Sequence, residues 1–311
     1  MSQLLGLRFI VVSGKGGVGR TTVAAALAQV AAAAGKRVLL ATATATDRLG
    51  RLFGRAVPVG SEIVTVAPGV DAVNITPESA IHEYGKMMLR SELVVRALFD
   101  NRAMRGFLGA VPGLDAYAVL GKAWWHTTET VAGRARYDLV IFDGPASGHA
   151  ALMLRIPHAI LTAMPKGPLS GDASAMRDLL SDPSRAALLI VTLAEELPAR
   201  EAAELAAQAR GELALPLGPL IVNALPTDQL ESPSVTAVMA QAPVATGDDA
   251  LDRTLRLAAG VRAHRRVAAS VLEMLARDPG LPIVPLPRVP TAELGPDLLA
   301  ALVPALTTAL S

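Results

Sequence analysis

The sequence predicts an α/β fold: a doubly wound, mostly parallel sheet flanked by helices, with a helical subdomain formed by insertions, in one domain over residues 1–311. Three observations carry that prediction. A β-branched run, Arg8–Val12, ends in a glycine-rich loop that leads straight into an alanine-rich stretch, Thr21–Ala34. Short apolar runs then recur with helical segments between them, the alternation that builds a parallel sheet. Two longer stretches, about 77–130 and 230–277, interrupt that alternation and read as helix.

Taken in order, Arg8–Val12 is the first strand, and the helix after the loop closes at Gly35. Val38–Leu40 follows as the next strand, which completes a β-loop-α-β unit. Ile63–Val66 and Ala72–Ile75, parted by Pro68 and Gly69, predict a hairpin. From Pro77 to about Glu129 the pattern is helical, broken near Pro112-Gly113, and this insertion carries both tryptophans. Leu139–Phe142 is a strand that runs directly into Asp143. Ala187–Leu193 and Leu217–Val222 are two more, separated by the helical Ala199–Leu213. Leu281–Leu286 is the last apolar run, and a helix from about Pro296 to Leu310 closes the chain. No internal repeat or long low-complexity segment interrupts this order.

Composition removes several function classes. With 29 basic and 28 acidic residues the net charge is +1, which gives no electrostatic footprint for nucleic acid. Cysteine is absent, which excludes disulfides, thiolate metal sites and a thiol nucleophile, and fits a reducing interior. The apolar half of the chain is largely alanine, and no uninterrupted apolar run approaches the ~20 residues that span a bilayer. With a β-like start at Leu7 in place of a signal peptide, the expectation is a cytoplasmic protein without an integral membrane span.

The chemistry concentrates in "GKGGVGRTT", Gly14–Thr22. Its spacing is that of a phosphate-binding loop, G-x-x-x-x-G-K-[ST], with Arg20 at the lysine position. Gly14, Gly16, Gly17 and Gly19 let successive backbone N–H groups turn inward, and with Val18, Arg20 and Thr22 they line a cradle at the positive end of the following helix. Thr21 is placed to ligate the Mg²⁺ that bridges the outer phosphates. Asp143 ends a strand before Gly144, a place that also suits a helix N-cap. Asn223 suits a turn before Leu225-Pro226.

The string GKGG resembles the deviant loop of the ArsA/Get3/MinD-type P-loop NTPases of the SIMIBI class. In that family the lysine at the position of Lys15 reaches across a dimer interface to the partner's nucleotide. The resemblance continues in "DGPASGHAALMLRIP", similar to the family's switch II segment with Asp143, Gly148, His149, Leu154 and Pro157 in register. It continues again in "IVNALP", where Asn223 stands at the adenine-contacting asparagine. "VPLPRVPTAELGP", "VTLAEELPARE" and "DNRAMRGFLGAVPGL" look like the bacterial ArsA-like branch. The likeness covers nearly the whole chain and is weakest from Leu230 to Arg277. It implies ATP or ADP with Mg²⁺ as cofactors, Asp143 holding a water on that ion, Asn223 offering donor and acceptor to the adenine edge, a dimer, and switch roles for Gly148 and His149.

Three departures fall on catalytic segments. Gapless alignment from Val38 to Phe53 puts Thr44 where the family keeps the switch I aspartate that activates water, and threonine is no general base. Asp47, three residues on, substitutes only if the loop shifts. Arg20 keeps the charge of the loop lysine but not its shape, since a planar fork is wider and longer than an ammonium. In switch II the proline has moved, giving Asp143-Gly144-Pro145-Ala146. Without cysteine there is also no CxxC zinc site and no thiol triad for arsenite or antimonite.

Three functions follow as expectations. One is a nucleotide-switched dimer with weak or absent hydrolysis, either a homodimer or a heterodimer with an intact ArsA-like paralogue. Another is a slow but active ATPase using Asp143, a bound water or Asp47. The third is a targeting or chaperone factor that binds a hydrophobic client helix through Met87, Met88, Leu89, Leu93, Val94, Leu98, Phe99, Met104, Phe107 and Leu108, residues that equally suit a helix core.

Overall fold

Among the described residues ten strands form: β1 (Phe9–Gly14), β2 (Val38–Thr42), β3 (Val64–Ala67), β4 (Val70–Asn74), β5 (Thr130–Val131), β6 (Arg134–Ala135), β7 (Leu139–Ala146), β8 (Ala186–Leu193), β9 (Leu220–Leu225) and β10 (Ile283–Pro287). Eight of them make one sheet in the order β10-β9-β8-β1-β7-β2-β4-β3. Every neighbouring pair is parallel except β3–β4. The structure is a computed structural model and describes residues 3–43, 48–89, 113–163, 165–166, 169–226, 237, 246–291 and 293–310, with backbone alone for 84–89.

The central strands are apolar without alternation because both of their faces are covered. Phe9 and Val11 join one core, and Ile10 and Val12 join the other. Helix α1 (Arg20–Ala33) belongs to the second core, and Val23–Ala28, Val30 and Ala31 are buried. A helix apolar on nearly all sides fits there, since it is wedged between the sheet and the closing helix and its alanines permit close approach.

The remaining helices are α2 (Leu49–Leu52), α3 (Pro77–Leu89), α4 (Leu114–Trp125), α5 (Ser147–Ala163), α6 (Ser170–Leu180), α7 (Glu196–Arg210), α8 (Asp249–Arg277) and α9 (Pro296–Leu310). α9 packs on α1 and α2, while α5, α6 and α7 cover the opposite face. α3 packs on α4, α4 packs on α5 and α6, and α8 lies against α7.

The predicted doubly wound, mostly parallel sheet flanked by helices stands, with three differences in detail. The hairpin β3–β4 is part of the main sheet, because β4 pairs in parallel with β2 from Val38↔Val70 to Thr42↔Asn74 and buries Val70, Ala72 and Val73. Helices α5 (Ser147–Ala163) and α6 (Ser170–Leu180) form between β7 and β8, where the sequence pattern predicts no element. The strand predicted from Leu217 starts at Leu220, after Pro219, and Leu217 makes only an isolated bridge to Leu188.

Candidate functional site

β1 and β7 run side by side, Val12 opposite Asp143 and Gly14 opposite Ala146. The loop leaving β1 therefore meets the segment leaving β7 at the carboxyl edge of the sheet, where open α/β sheets place their ligands. Gly14 and Gly19 are required there by space. A Cβ on Gly14 would stand 2.0 Å from the Val191 carbonyl oxygen of β8, and one on Gly19 would stand 2.3 Å from Nδ2 of Asn223. Gly19 also holds φ 91° as the residue preceding α1, a conformation that penalises any side chain. Gly16 and Gly17 are exposed, and a Cβ on either would meet nothing within 4 Å, so their backbone is open to a ligand. Val18 between them and Gly19 is buried and pins the loop to the core.

Asp143 is 1% exposed and is the deepest charged group of the site. Thr21 donates to its Oδ2 over 2.6 Å, and Thr42 donates to the same oxygen over 3.4 Å. Burial pushes the Asp143 carboxyl above its usual range, against the Thr21 hydrogen bond and the Arg20 charge. The side chain of Arg20 turns toward β7 and its Nη1 donates to the Gly144 carbonyl at 2.5 Å. Burial holds its pKa below the usual arginine value while the Asp143 charge opposes. Ser13 Oγ donates to the Pro145 carbonyl at 3.0 Å. Lys15 pairs with Oε1 of Glu201 on α7, and Oε2 of Glu201 accepts from Ser147 Oγ at 2.9 Å. Residues 143, 144, 145 and 147 are thus each fastened to the loop or to its lysine's partner.

Of the residues the sequence singled out, the loop 14–22, Asp143 and Asn223 come together. Asn223 Nδ2 donates to the Val18 carbonyl at 2.9 Å, which ties β9 to the loop. Gly148 and His149, on the first turn of α5, are exposed and stand apart from the Asp143 contacts. Thr44 and Asp47 lie outside the described residues, as do the side chains of Met87, Met88 and Leu89 and all of Leu93–Leu108.

A cavity of about 260 Å³ opens beside the loop, between Gly17, Gly19, Glu195, Asn223, His264 and Arg288. The sequence reading did not single out Glu195, His264 or Arg288, nor Ser13, Ser147 and Glu201. Glu201 and Arg288 stand in quoted segments, "VTLAEELPARE" and "VPLPRVPTAELGP", but nothing local distinguishes them from surface charges. His264 comes from α8, a stretch whose pattern reads as helix but carries no motif.

The residues present fit a magnesium nucleotide. Thr21 and Asp143 offer two adjacent oxygen donors of the kind a hard divalent cation takes, and the glycines leave a backbone cradle at a helix N-terminus. Among the described residues no group of three or more His, Cys, Asp or Glu forms a metal site of its own. Among the described residues, too, no helix is long and apolar enough to cross a membrane.

A strand, a glycine turn and a helix start holding a hydroxyl against a buried carboxylate define a P-loop nucleotide-binding protein. Residues 7–167 match the family model described as anion-transporting ATPase. The chain belongs to that ATPase family. Among its relatives is the ATPase BagA of Mycobacterium tuberculosis, 32% identical over 232 residues, covering 71% of this chain and 66% of that protein. The arsenical pump-driving ATPase of Acidiphilium multivorum is 26% identical over 75% of this chain and 42% of its own length. The ATPase GET3 of Kluyveromyces lactis is 29% identical over 51% of this chain and 48% of its own. The matched part thus spans slightly less than two thirds of the length of the mycobacterial relative, and less of the others.

Proposed function

We propose that this chain is a nucleotide-dependent dimeric switch that binds ATP or ADP with Mg²⁺ and hydrolyses ATP weakly or not at all. The observation that carries the reading is the direction of Arg20. Its guanidinium is spent on the Gly144 carbonyl, in the position from which a loop lysine would stabilise charge developing between the outer phosphates. The binding parts stand beside it: the glycine cradle, Thr21 and Asp143 for Mg²⁺, and the cavity at Asn223 for the base. When bound, Mg²⁺ would be held by Thr21 and Asp143 and would supply charge neutralisation to the phosphates. Thr44 at the switch I aspartate position removes the base that would activate the attacking water.

In this reading Lys15 serves a partner's nucleotide across a dimer interface, with either a second copy or an intact paralogue as partner. Calorimetry with ATP and ADP in Mg²⁺, together with native mass, tests it. The expected result is saturable binding of both nucleotides, with ATP favouring a species of twice the mass. Absence of binding at millimolar nucleotide would overturn it.

A second reading rests on a different cavity. About 250 Å³ of space lies between α3, α4 and α6, walled by Tyr117, Trp124, Trp125 and Met176. Its α3 wall is Ala80 and Glu83, on the helix whose sequence goes on to Met87 and Met88, which supports a hydrophobic helix as client of the same switch. Binding of an apolar helical peptide that Trp124→Ala weakens at least tenfold would support it; unchanged binding would sink it.

A further inference from the structure

Lys15 and Glu201 make a contact at the phosphate loop that the proposed function leaves without a role. Lys15 directly follows Gly14, so its ammonium is attached to the very backbone that curls around phosphate. Its partner is 186 residues away, on the second turn of α7. Glu201 has two oxygens and both are used: one takes Lys15, and the other takes the hydroxyl of Ser147. Ser147 is the first residue of α5 and directly follows the β7 tip that Thr21, Arg20 and Ser13 hold. One carboxylate therefore joins the start of the loop to the start of the helix behind Asp143.

The strength of this junction suits exchange. The side chains of Lys15 and Glu201 are 31% and 28% exposed, so water reaches the pair and the net attraction is small. The Lys15 hydrogen bond holds the Glu201 carboxyl below its usual range, so the carboxylate is charged at neutral pH and is a genuine competitor for the ammonium. A polyphosphate in the adjoining cradle carries several negative charges against the single one of Glu201. A lysine on a flexible stem can change partners without moving its backbone.

We propose that Glu201 is a positioning residue that holds Lys15 against its own subunit until nucleotide phosphate competes for the ammonium, and that this exchange loosens Ser147 at the head of α5. The proposal rests on the nucleotide-binding reading above and gives that site a route from phosphate occupancy to helix α5. Lys15 is unavailable to any phosphate, its own subunit's or a partner's, until Glu201 releases it. The coupling then runs through one side chain, with Lys15 on one oxygen and Ser147 on the other.

Acylation of the full-length chain with an amine-directed reagent, read at Lys15 by peptide mass spectrometry against exposed Lys166, tests the contact directly. Without nucleotide, Glu201→Gln is expected to acylate at Lys15 two- to fivefold faster than the wild type. Hydrogen exchange over residues 147–151 is expected to be faster in that variant too, and in the wild type only after Mg-ATP is added. Mg-ATP is expected to bind Glu201→Gln two- to fivefold more tightly, a gain that disappears when Lys15 is also changed to Ala. Equal Lys15 acylation in the two chains would overturn the proposal, as would an affinity gain that survives Lys15→Ala. A labelling difference without any nucleotide binding to either chain would overturn the nucleotide reading and the exchange together, leaving the contact alone.

Discussion

At the scale of single residues, the proposed separation of binding from chemistry rests on Arg20. Its hydrogen bond to the Gly144 carbonyl joins the loop to the segment after Asp143, so the charge is retained but directed at backbone. A lysine in its place is too short for that fork contact and returns a compact ammonium to the loop. Arg20→Lys is therefore expected to raise ATP turnover about tenfold or more, which corresponds to about 1.4 kcal/mol of transition-state stabilisation. Phosphate release at saturating Mg-ATP measures it, and an unchanged rate would mean that Arg20 is not what limits the site. Asp143 is the proposed Mg²⁺ ligand beside Thr21. Asp143→Asn keeps an acceptor for Thr21 but removes the negative charge, and is expected to weaken Mg-ATP binding about 10- to 100-fold while leaving metal-free ATP binding little changed. Calorimetry with and without Mg²⁺ separates the two. These roles were only half legible in the sequence. That Arg20 is out of pattern can be read from nine residues, but its destination lies 124 residues away and exists only once β1 and β7 are adjacent.

At the scale of elements, the turn from β1 into α1 is held by what cannot be added to it. Gly19→Ala combines φ 91° with a Cβ 2.3 Å from Asn223 Nδ2, so the variant must strain the α1 start or push β9 away from the loop. It is expected to cost about 1–3 kcal/mol of stability and to lose nucleotide binding as well, read by thermal denaturation with and without Mg-ATP. At the opposite edge of the sheet, Arg37 before β2 clasps Asp138 before β7 through its backbone N–H at 2.9 Å and its guanidinium at 2.7 and 3.0 Å. Those bonds hold the Asp138 carboxyl down to about 2. A depressed acid contributes stability that is fully present above its unfolded pKa of about 3.9 and is lost as pH falls through its folded value. Wild type is therefore expected to lose more stability than Asp138→Asn between about pH 4 and pH 2 in acid titrations followed by circular dichroism, and parallel curves would contradict the assignment. Elements with strong local signals were the legible ones: β1, α1, β2 and α9 carry apolar runs bounded by glycine or proline. α5 was hidden because Gly148 and Pro157 contradict helix, and only packing on β7 and α7 overrides them.

At the scale of the whole molecule, the two cores place the loop and the helices behind Asp143 in different layers. α1 and the loop are bound to a core closed by α9, with Val18, Val23 and Leu27 all buried. α5 and α7 cover the other face, and at the site their connection to the loop is a set of hydrogen bonds in place of apolar contact. In the proposed exchange, a nucleotide competing for those bonds would act on the second layer and leave the first in place. The sequence made the sheet and the cradle readable because glycine geometry and strand periodicity are local. Glu201, His264 and Arg288 were unreadable because their meaning comes from the helices and loops that bring distant residues to one edge. The central claim, binding without efficient hydrolysis, is tested most directly by single-turnover phosphate release with Mg-ATP prebound to the chain. The account predicts release at least about 100-fold slower from the wild type than from the Arg20→Lys, Thr44→Asp double variant, while both bind ATP. Wild-type release as fast as that of the double variant, at an ordinary enzymatic rate of about 1 s⁻¹ or more, would contradict it.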